Sequence, residues 1–184
     1  MAAKKKKIKE EKPVKTVLLM RHGKSDWEEG ISDFDRPLAK RGIGDVPLLG
    51  RFLLKTKKVP SVIISSPAKR AKETSELLAR ACRYKSDIRY SDSIYENSSG
   101  EIMKLLQKLD DSIESVMVIG HNPAIEEATK KLCFRELKSL ENGIKFPTGA
   151  IVCLGAEIES WSELYPGNCS IYWFVVPRLI KGLF

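Results

Sequence analysis

The sequence predicts an α/β fold, a three-layer αβα sandwich built on a mostly parallel central sheet. Two observations carry that expectation. Short, apolar, β-prone runs alternate along the chain with segments of helical periodicity, and strands separated by helices pair in parallel through right-handed connections. Two of those runs also end in the same way. Val17-Leu18-Leu19-Met20 stops at Arg21-His22-Gly23, and Val116-Met117-Val118-Ile119-Gly120 stops at His121-Asn122-Pro123. A buried strand delivers reactive side chains at its carboxyl edge, where open α/β sheets bind ligands.

The elements follow in order. Residues 26–37 are polar, broken by Gly30, Asp33 and Asp35, and read as a loop. Leu48, Leu49, Phe52 and Leu53 share one helical face, which predicts a helix over about 46–54 with Pro47 in its first turn. A second buried strand spans 59–65. Ser66 then reads as an N-cap with Pro67 as the first helical residue. Arg70 would close the first turn, and because helical side chains lean toward the N-terminus, its guanidinium would reach back to the sheet edge. Residues 87–95 alternate loosely and predict a short third strand or extended segment ending at Glu96. Ile102, Leu105, Leu106 and Leu109 mark an amphipathic helix over 100–109. After the strand at 116–120, Asn122 and Pro123 repeat the cap-and-first-turn pattern and open a helix to about Phe134. A loop at 143–149, strands at 150–154 and 171–176, and a polar turn region at 159–168 complete the chain.

At 184 residues, one domain of ordinary size is expected. The net charge of +8 suggests nucleic acid until it is located. Residues 1–15 hold seven lysines against Glu10 and Glu11, a net of +5, leaving +3 for everything else. A tail of that composition buries too little apolar surface to offset its ordering entropy, so residues 1–15 are expected to be a disordered, solvated extension to a domain over 16–184. Nucleic acid is therefore not an expected partner. No apolar stretch resembles a signal-peptide core or a membrane span, which predicts a soluble cytoplasmic protein. Cys82, Cys133, Cys153 and Cys169 are widely spaced in apolar surroundings and read as buried free thiols.

His22 and His121 are the only histidines in the chain. They are either two unrelated structural residues at strand ends or members of one site. Gathered with Arg21 and Arg70, and with two helix N-termini, they would form a pocket for a tetrahedral dianion, because planar guanidinium binds phosphate in bidentate fashion and exposed helix amides point at the ligand. No Gly-x-x-x-x-Gly-Lys loop and no carboxylate cluster with metal-ligand spacing accompanies them, so neither a nucleotide loop nor a metal or other cofactor is expected. The economical mechanism is attack of one imidazole on phosphorus. His22, next to a glycine that permits close approach, is the preferred nucleophile, with His121 holding phosphoryl oxygens. The surrounding cations would depress the histidine pKa values and keep the nucleophile neutral. Ser25 either donates to phosphate or serves the turn, and Lys24 either touches substrate or is solvated. Trp27, Trp161 and Trp173 read as core or edge packing.

Arg21-His22-Gly23, the Ser66-x-x-x-Arg70-Ala71-x-x-Thr74 segment and Gly120-His121-Asn122-Pro123 resemble the signature of the histidine phosphatase superfamily, the branch that includes phosphoglycerate mutases. The closer similarity is to bacterial phosphohistidine phosphatases of the SixA type. It is carried by Arg21 through Trp27, Asp35-Arg36-Pro37-Leu38 with Arg41-Gly42, Ile94-Tyr95-Glu96, Pro147-Thr148-Gly149-Ala150 and Pro177-Arg178. The resemblance implies a metal-independent phosphatase in which His22 is transiently phosphorylated. Arg21, Arg70 and His121 would form the phosphate pocket, and Arg36 would support it. It places Glu96 near the position of the proton-donating glutamate of the mutase-like relatives, with Asp26 and Asp35 as other candidates. An imidazole leaving group, titrating near 6.5, needs a weaker acid than an alkoxide does, and so short a chain leaves little material for a lid. The first-choice substrate is accordingly phosphohistidine on a protein partner. The alternatives are a small phosphomonoester handled by a phosphatase or mutase, and a non-catalytic anion-binding module with a basic tail. A monomer is expected.

Overall fold

The structure, a computed structural model, describes residues 13–27, 30–95, 98–137 and 144–183. In chain order the elements are β1 (Val14–Arg21), α1 (Lys40–Lys55), β2 (Val62–Ser65), α2 (Lys69–Ala81), β3 (Arg89–Tyr90), α3 (Asp92–Tyr95), α4 (Ser99–Gln107), β4 (Ser115–Gly120), α5 (Ala124–Leu132), α6 (Phe134–Leu137), β5 (Ile151–Glu157), β6 (Cys169–Val175) and α7 (Pro177–Ile180). The six strands form one sheet in the order β3-β2-β4-β1-β5-β6. β3, β2, β4 and β1 pair in parallel, β5 runs against β1, and β6 runs against β5. Only β5 therefore points the other way, and the expected mostly parallel three-layer sandwich is the observed architecture.

β1 and β4 lie side by side at the centre, which is why their sequences are apolar at successive positions rather than at alternate ones. Alternate side chains serve opposite layers. Val17, Leu19, Val116 and Val118 pack with Ile102 and Leu106 of α4 and with Ile125 and Leu132 of α5. Leu18, Met20, Met117 and Ile119 pack with Val46, Leu49 and Leu53 of α1 and with Ala71 and Leu78 of α2. All four cysteines are free and buried, and burial pushes the Cys133 and Cys169 thiols up to about 12, where they are inert.

Several boundaries differ from expectation. β1 takes in Val14 and Lys15 from the stretch expected as tail. Lys15 is buried because its Nζ donates to the Asp111 and Ile113 carbonyls at the far end of the sheet. α1 starts at Lys40, well before Val46, so Pro47 lies inside the helix. Its first turns carry few apolar residues and show no period. They are anchored instead by the Ala39 amide donating to the Lys24 carbonyl at 2.9 Å and by Gly42, where any Cβ would collide with that same carbonyl. α2 starts at Lys69 behind Ala68, not at Pro67, and α5 starts behind Pro123, in neither case with a side-chain cap. The expected short strand or extended segment over 87–95 is a two-residue strand, Arg89–Tyr90, at the sheet edge, after which the chain turns into α3 and buries Ile94. The helix expected to run to Phe134 stops at Leu132, and α6 follows. The lysine run of the tail, Glu96 and Gly143 lie outside the described residues.

Candidate active site

Register brings the two histidines together. Arg21 is the partner of Gly120 across the β1–β4 pair, and the His22 amide donates to the Gly120 carbonyl at 3.0 Å. His22 and His121 each follow the paired residue, so their rings emerge side by side with centroids 5.1 Å apart. β2 pairs with the other side of β4 and leads into α2, whose first turn carries Arg70 to the same edge. There Arg70 Nε donates to His22 Nε2 at 3.3 Å. Arg21, His22, Arg70 and His121 all line one cleft of about 540 Å³, and Ser25 and Arg36 line it as well.

The hydrogen bonds fix the protonation pattern of His22. Its Nδ1 lies 2.7 Å from the Gly23 carbonyl oxygen, which only accepts, so Nδ1 carries the proton and Nε2 keeps its lone pair toward Arg70. Burial, then the neighbouring His121, lowers the His22 pKa to about 3, outweighing the Gly23 carbonyl. Burial, then Arg70, lowers that of His121 to about 4, with Asp33 pulling the other way. Both rings are neutral at pH 7. Burial also lowers the Arg21 pKa, against the pull of Glu126.

Other contacts hold the frame. The Gly23 amide donates to Thr74 Oγ1 at 3.0 Å, and Thr74 Oγ1 donates to the Arg70 carbonyl at 2.6 Å, so one hydroxyl joins the His22 loop to the first turn of α2. A Cβ at Gly23 would lie 2.9 Å from Val46 Cγ2 and 3.2 Å from Leu38 Cδ2, so any larger residue would have to push those side chains aside. Ser66, expected as a helix cap, has its hydroxyl 2.9 Å from His121 Nε2 while accepting from the Ala68 amide at 3.3 Å. Arg21 donates to the Phe146 carbonyl at 2.7 Å. Asn122, the other expected cap, donates to Glu126 Oε1 at 2.7 Å and to the Phe146 carbonyl at 3.2 Å. Arg21 Nε and His121 Nδ1 are buried without a hydrogen-bond partner among the described residues. Two polar atoms left so beside a cationic cleft suit an incoming anion.

The loop between β1 and α1 supplies one wall. Arg36 donates to Ser25 Oγ at 2.5 Å, to the Asp26 carbonyl at 3.0 Å and to Asp33 Oδ1 at 2.8 Å. Its guanidinium stacks 3.4 Å from the centroid of Trp27, which is 74% exposed and so not the packing residue expected. Asp33 is the residue that sequence reasoning missed. Its Oδ2 accepts from Arg70 at 2.9 Å, its backbone carbonyl accepts from the same guanidinium, and Tyr95 donates to Oδ2 at 3.4 Å. Tyr95 in turn stands edge-on to His121 with centroids 5.8 Å apart. Only the spacing Asp33-x-x-Arg36 hinted at this, and nothing local separated Asp33 from Asp26 and Asp35. Asp26 and Asp35 are exposed and do not line the cleft.

Residues 17–142 match the family model of the histidine phosphatase superfamily, branch 1. The chain belongs to that superfamily. This histidine phosphatase is similar to the protein histidine phosphatase SixA complexed with tungstate, at 26% identity and a TM-score of 0.76 over 90% of this chain and 99% of that one. A SixA-type protein from Agrobacterium tumefaciens is similar at 27% identity and a TM-score of 0.75, over 90% and 99% of the two chains. An uncharacterised protein of Mycobacterium tuberculosis is 29% identical over 165 residues, 86% of this chain and all of the relative. The fold is that of SixA, phosphoglycerate mutase-like, as the motifs implied, and the protein is a phosphatase. Among the described residues no group of three or more His, Cys, Asp or Glu could hold a metal ion, and no helix is long and apolar enough to cross a membrane.

Proposed function

We propose that this phosphatase removes the phosphoryl group from phosphohistidine on a protein partner, through a second phosphohistidine formed at His22. The observation that carries the reading is the state of His22. Its Nδ1–H is held by the Gly23 carbonyl and its unprotonated Nε2 accepts from Arg70 Nε at the cleft, so the ring is a neutral nucleophile whose reactive nitrogen stands beside a guanidinium suited to phosphate. Arg21, Arg70 and His121 surround the transferring group and stabilise the charge on its equatorial oxygens. Arg36 and Ser25 support the wall beside them.

The substrate class is supported by what the cleft offers a leaving group. Asp33 is the one acidic side chain lining it among the described residues, and its guanidinium partners, acting against burial, hold its pKa below the ordinary carboxylate value. A site so poor in acids suits imidazole, which departs without a strong donor, better than an alkoxide.

The test is incubation with phosphohistidine peptide, a quench without acid, and mass spectrometry of the peptide bearing His22. Phosphate on His22 is expected, with turnover falling by about 10³-fold or more in His22→Ala. Side-by-side assays should give a higher kcat/KM on phosphohistidine peptide than on any of a panel of sugar phosphates and phosphoglycerates. Activity surviving His22→Ala removes the mechanism, and the reverse order of substrates makes the protein a small-molecule phosphatase.

A further inference from the structure

We propose that Asp33 sets the selectivity of the site for nitrogen-bound over oxygen-bound phosphoryl groups, by presenting an ionised carboxylate to a leaving group that is cationic in the substrate. The inference rests on the phosphohistidine reading and adds the residue that enforces it.

The geometry is specific. The Asp33 side chain is half exposed in the wall of the cleft, with one oxygen on Arg36 and the other on Arg70, whose Nε contacts the attacking nitrogen of His22. Oδ2 already accepts from Arg70 and Tyr95, whereas Oδ1 accepts from Arg36 alone and keeps one acceptor site for a donor in the cleft. The carboxylate therefore lies one guanidinium away from His22 Nε2, in the wall of the same cleft.

The chemistry of the two substrate classes then diverges. Phosphohistidine protonated on its free ring nitrogen is an imidazolium joined to phosphorus. When His22 Nε2 forms its bond to phosphorus, the old P–N bond breaks and its electron pair returns to the ring, which leaves as neutral imidazole still holding its own proton. No proton has to be supplied. His22 becomes the cationic, phosphorylated ring, its Nδ1–H still on the Gly23 carbonyl. Water then attacks phosphorus, the pair of the P–Nε2 bond returns to His22, and the proton lost by water passes to phosphate and solvent. An ionised Asp33 favours binding of the protonated substrate by hydrogen bonding to its imidazolium N–H, and part of that bond persists in the transition state, where the leaving ring is still partly cationic. Toward a phosphoester the same carboxylate has no proton to give, and it opposes the negative charge growing on the departing oxygen.

The purified full chain and its Asp33→Asn and Asp33→Glu variants can be compared on N-phosphoimidazole and on p-nitrophenyl phosphate, whose leaving group departs as an anion. In Asp33→Asn the ratio of kcat/KM for the phosphoramidate to that for the ester should fall about 10- to 100-fold, the worth of a charge-assisted hydrogen bond. Asp33→Glu, which keeps the charge, should recover most of the ratio. Inhibition by inorganic phosphate gives a second readout that needs no ester turnover. Removing the carboxylate that occupies Arg70 and Arg36 should tighten it. If Asp33 served only to position Arg70, both substrates would fall together and phosphate inhibition would weaken. Either result overturns the proposal. Failure of the His22 mechanism shows separately, as activity that survives His22→Ala.

Discussion

Two imidazoles buried side by side among guanidiniums resist protonation together, and this makes the molecule sensitive to acid. In the unfolded chain each histidine titrates near 6.5, whereas in the folded protein burial holds His22 to about 3 and His121 to about 4. Between those values the unfolded state binds protons that the native state refuses, so stability rises with pH across the window and is lost as pH falls from about 6.5 toward 4. The limiting slope is about 1.4 kcal/mol per pH unit for each histidine. Urea unfolding at pH 7.5 and pH 5.0 should show the midpoint falling with acidification. His121→Asn, which removes one of the two groups, should flatten that fall, and an unchanged slope would contradict the account. The activity profile follows from the same residues. If His22 is the nucleophile, as proposed, its neutrality down to about pH 3 puts no acid limb near 6.5 into kcat/KM of the free enzyme.

At the scale of elements, two glycines of α1 separate stability from catalysis. Gly50 faces α2, where an added Cβ would lie 2.5 Å from Ala81 Cβ and 2.7 Å from the Leu78 carbonyl oxygen. Gly42 faces the backbone of Lys24, two residues beyond His22. Gly50→Ala should cost about 1–3 kcal/mol of stability by thermal or urea unfolding and leave the activity of the folded fraction near wild type. Gly42→Ala should act on the His22 loop instead, lowering kcat more than its stability loss explains. The same helix shows what could be read from the chain alone. Leu48, Leu49, Phe52 and Leu53 announce its second half because burial writes a period into them. The first half is held by backbone contacts to the Lys24 segment, which leave no pattern in a sequence. The site divides in the same way. Arg21, His22, Arg70 and His121 were legible because strand ends and a helix mouth place them by local rules. Asp33, Tyr95 and the hydroxyl of Ser66 gained their partners through tertiary packing between segments 37 to 62 residues apart.

For the molecule as a whole, one sheet with apolar layers on both faces should unfold as a unit. Leu49 of α1 and Leu106 of α4 are fully buried in opposite layers. Leu49→Ala and Leu106→Ala should each cost about 2–5 kcal/mol, their effects should add in the double variant, and every variant should keep a single transition. Separate transitions for the two faces would show that the layers are independent.

The pairing of β1 with β4 joins the two histidines across nearly a hundred residues of chain, sealed by the His22 amide on the Gly120 carbonyl. A growing polypeptide on the ribosome therefore carries His22 and Arg70 long before the strand that brings His121 has been made. Until that strand is inserted between β1 and β2, the nascent chain has the proposed nucleophile but not the buried edge that keeps it neutral. On the proposed mechanism, dephosphorylation begins only once synthesis has passed residue 121 and the middle of the sheet has closed.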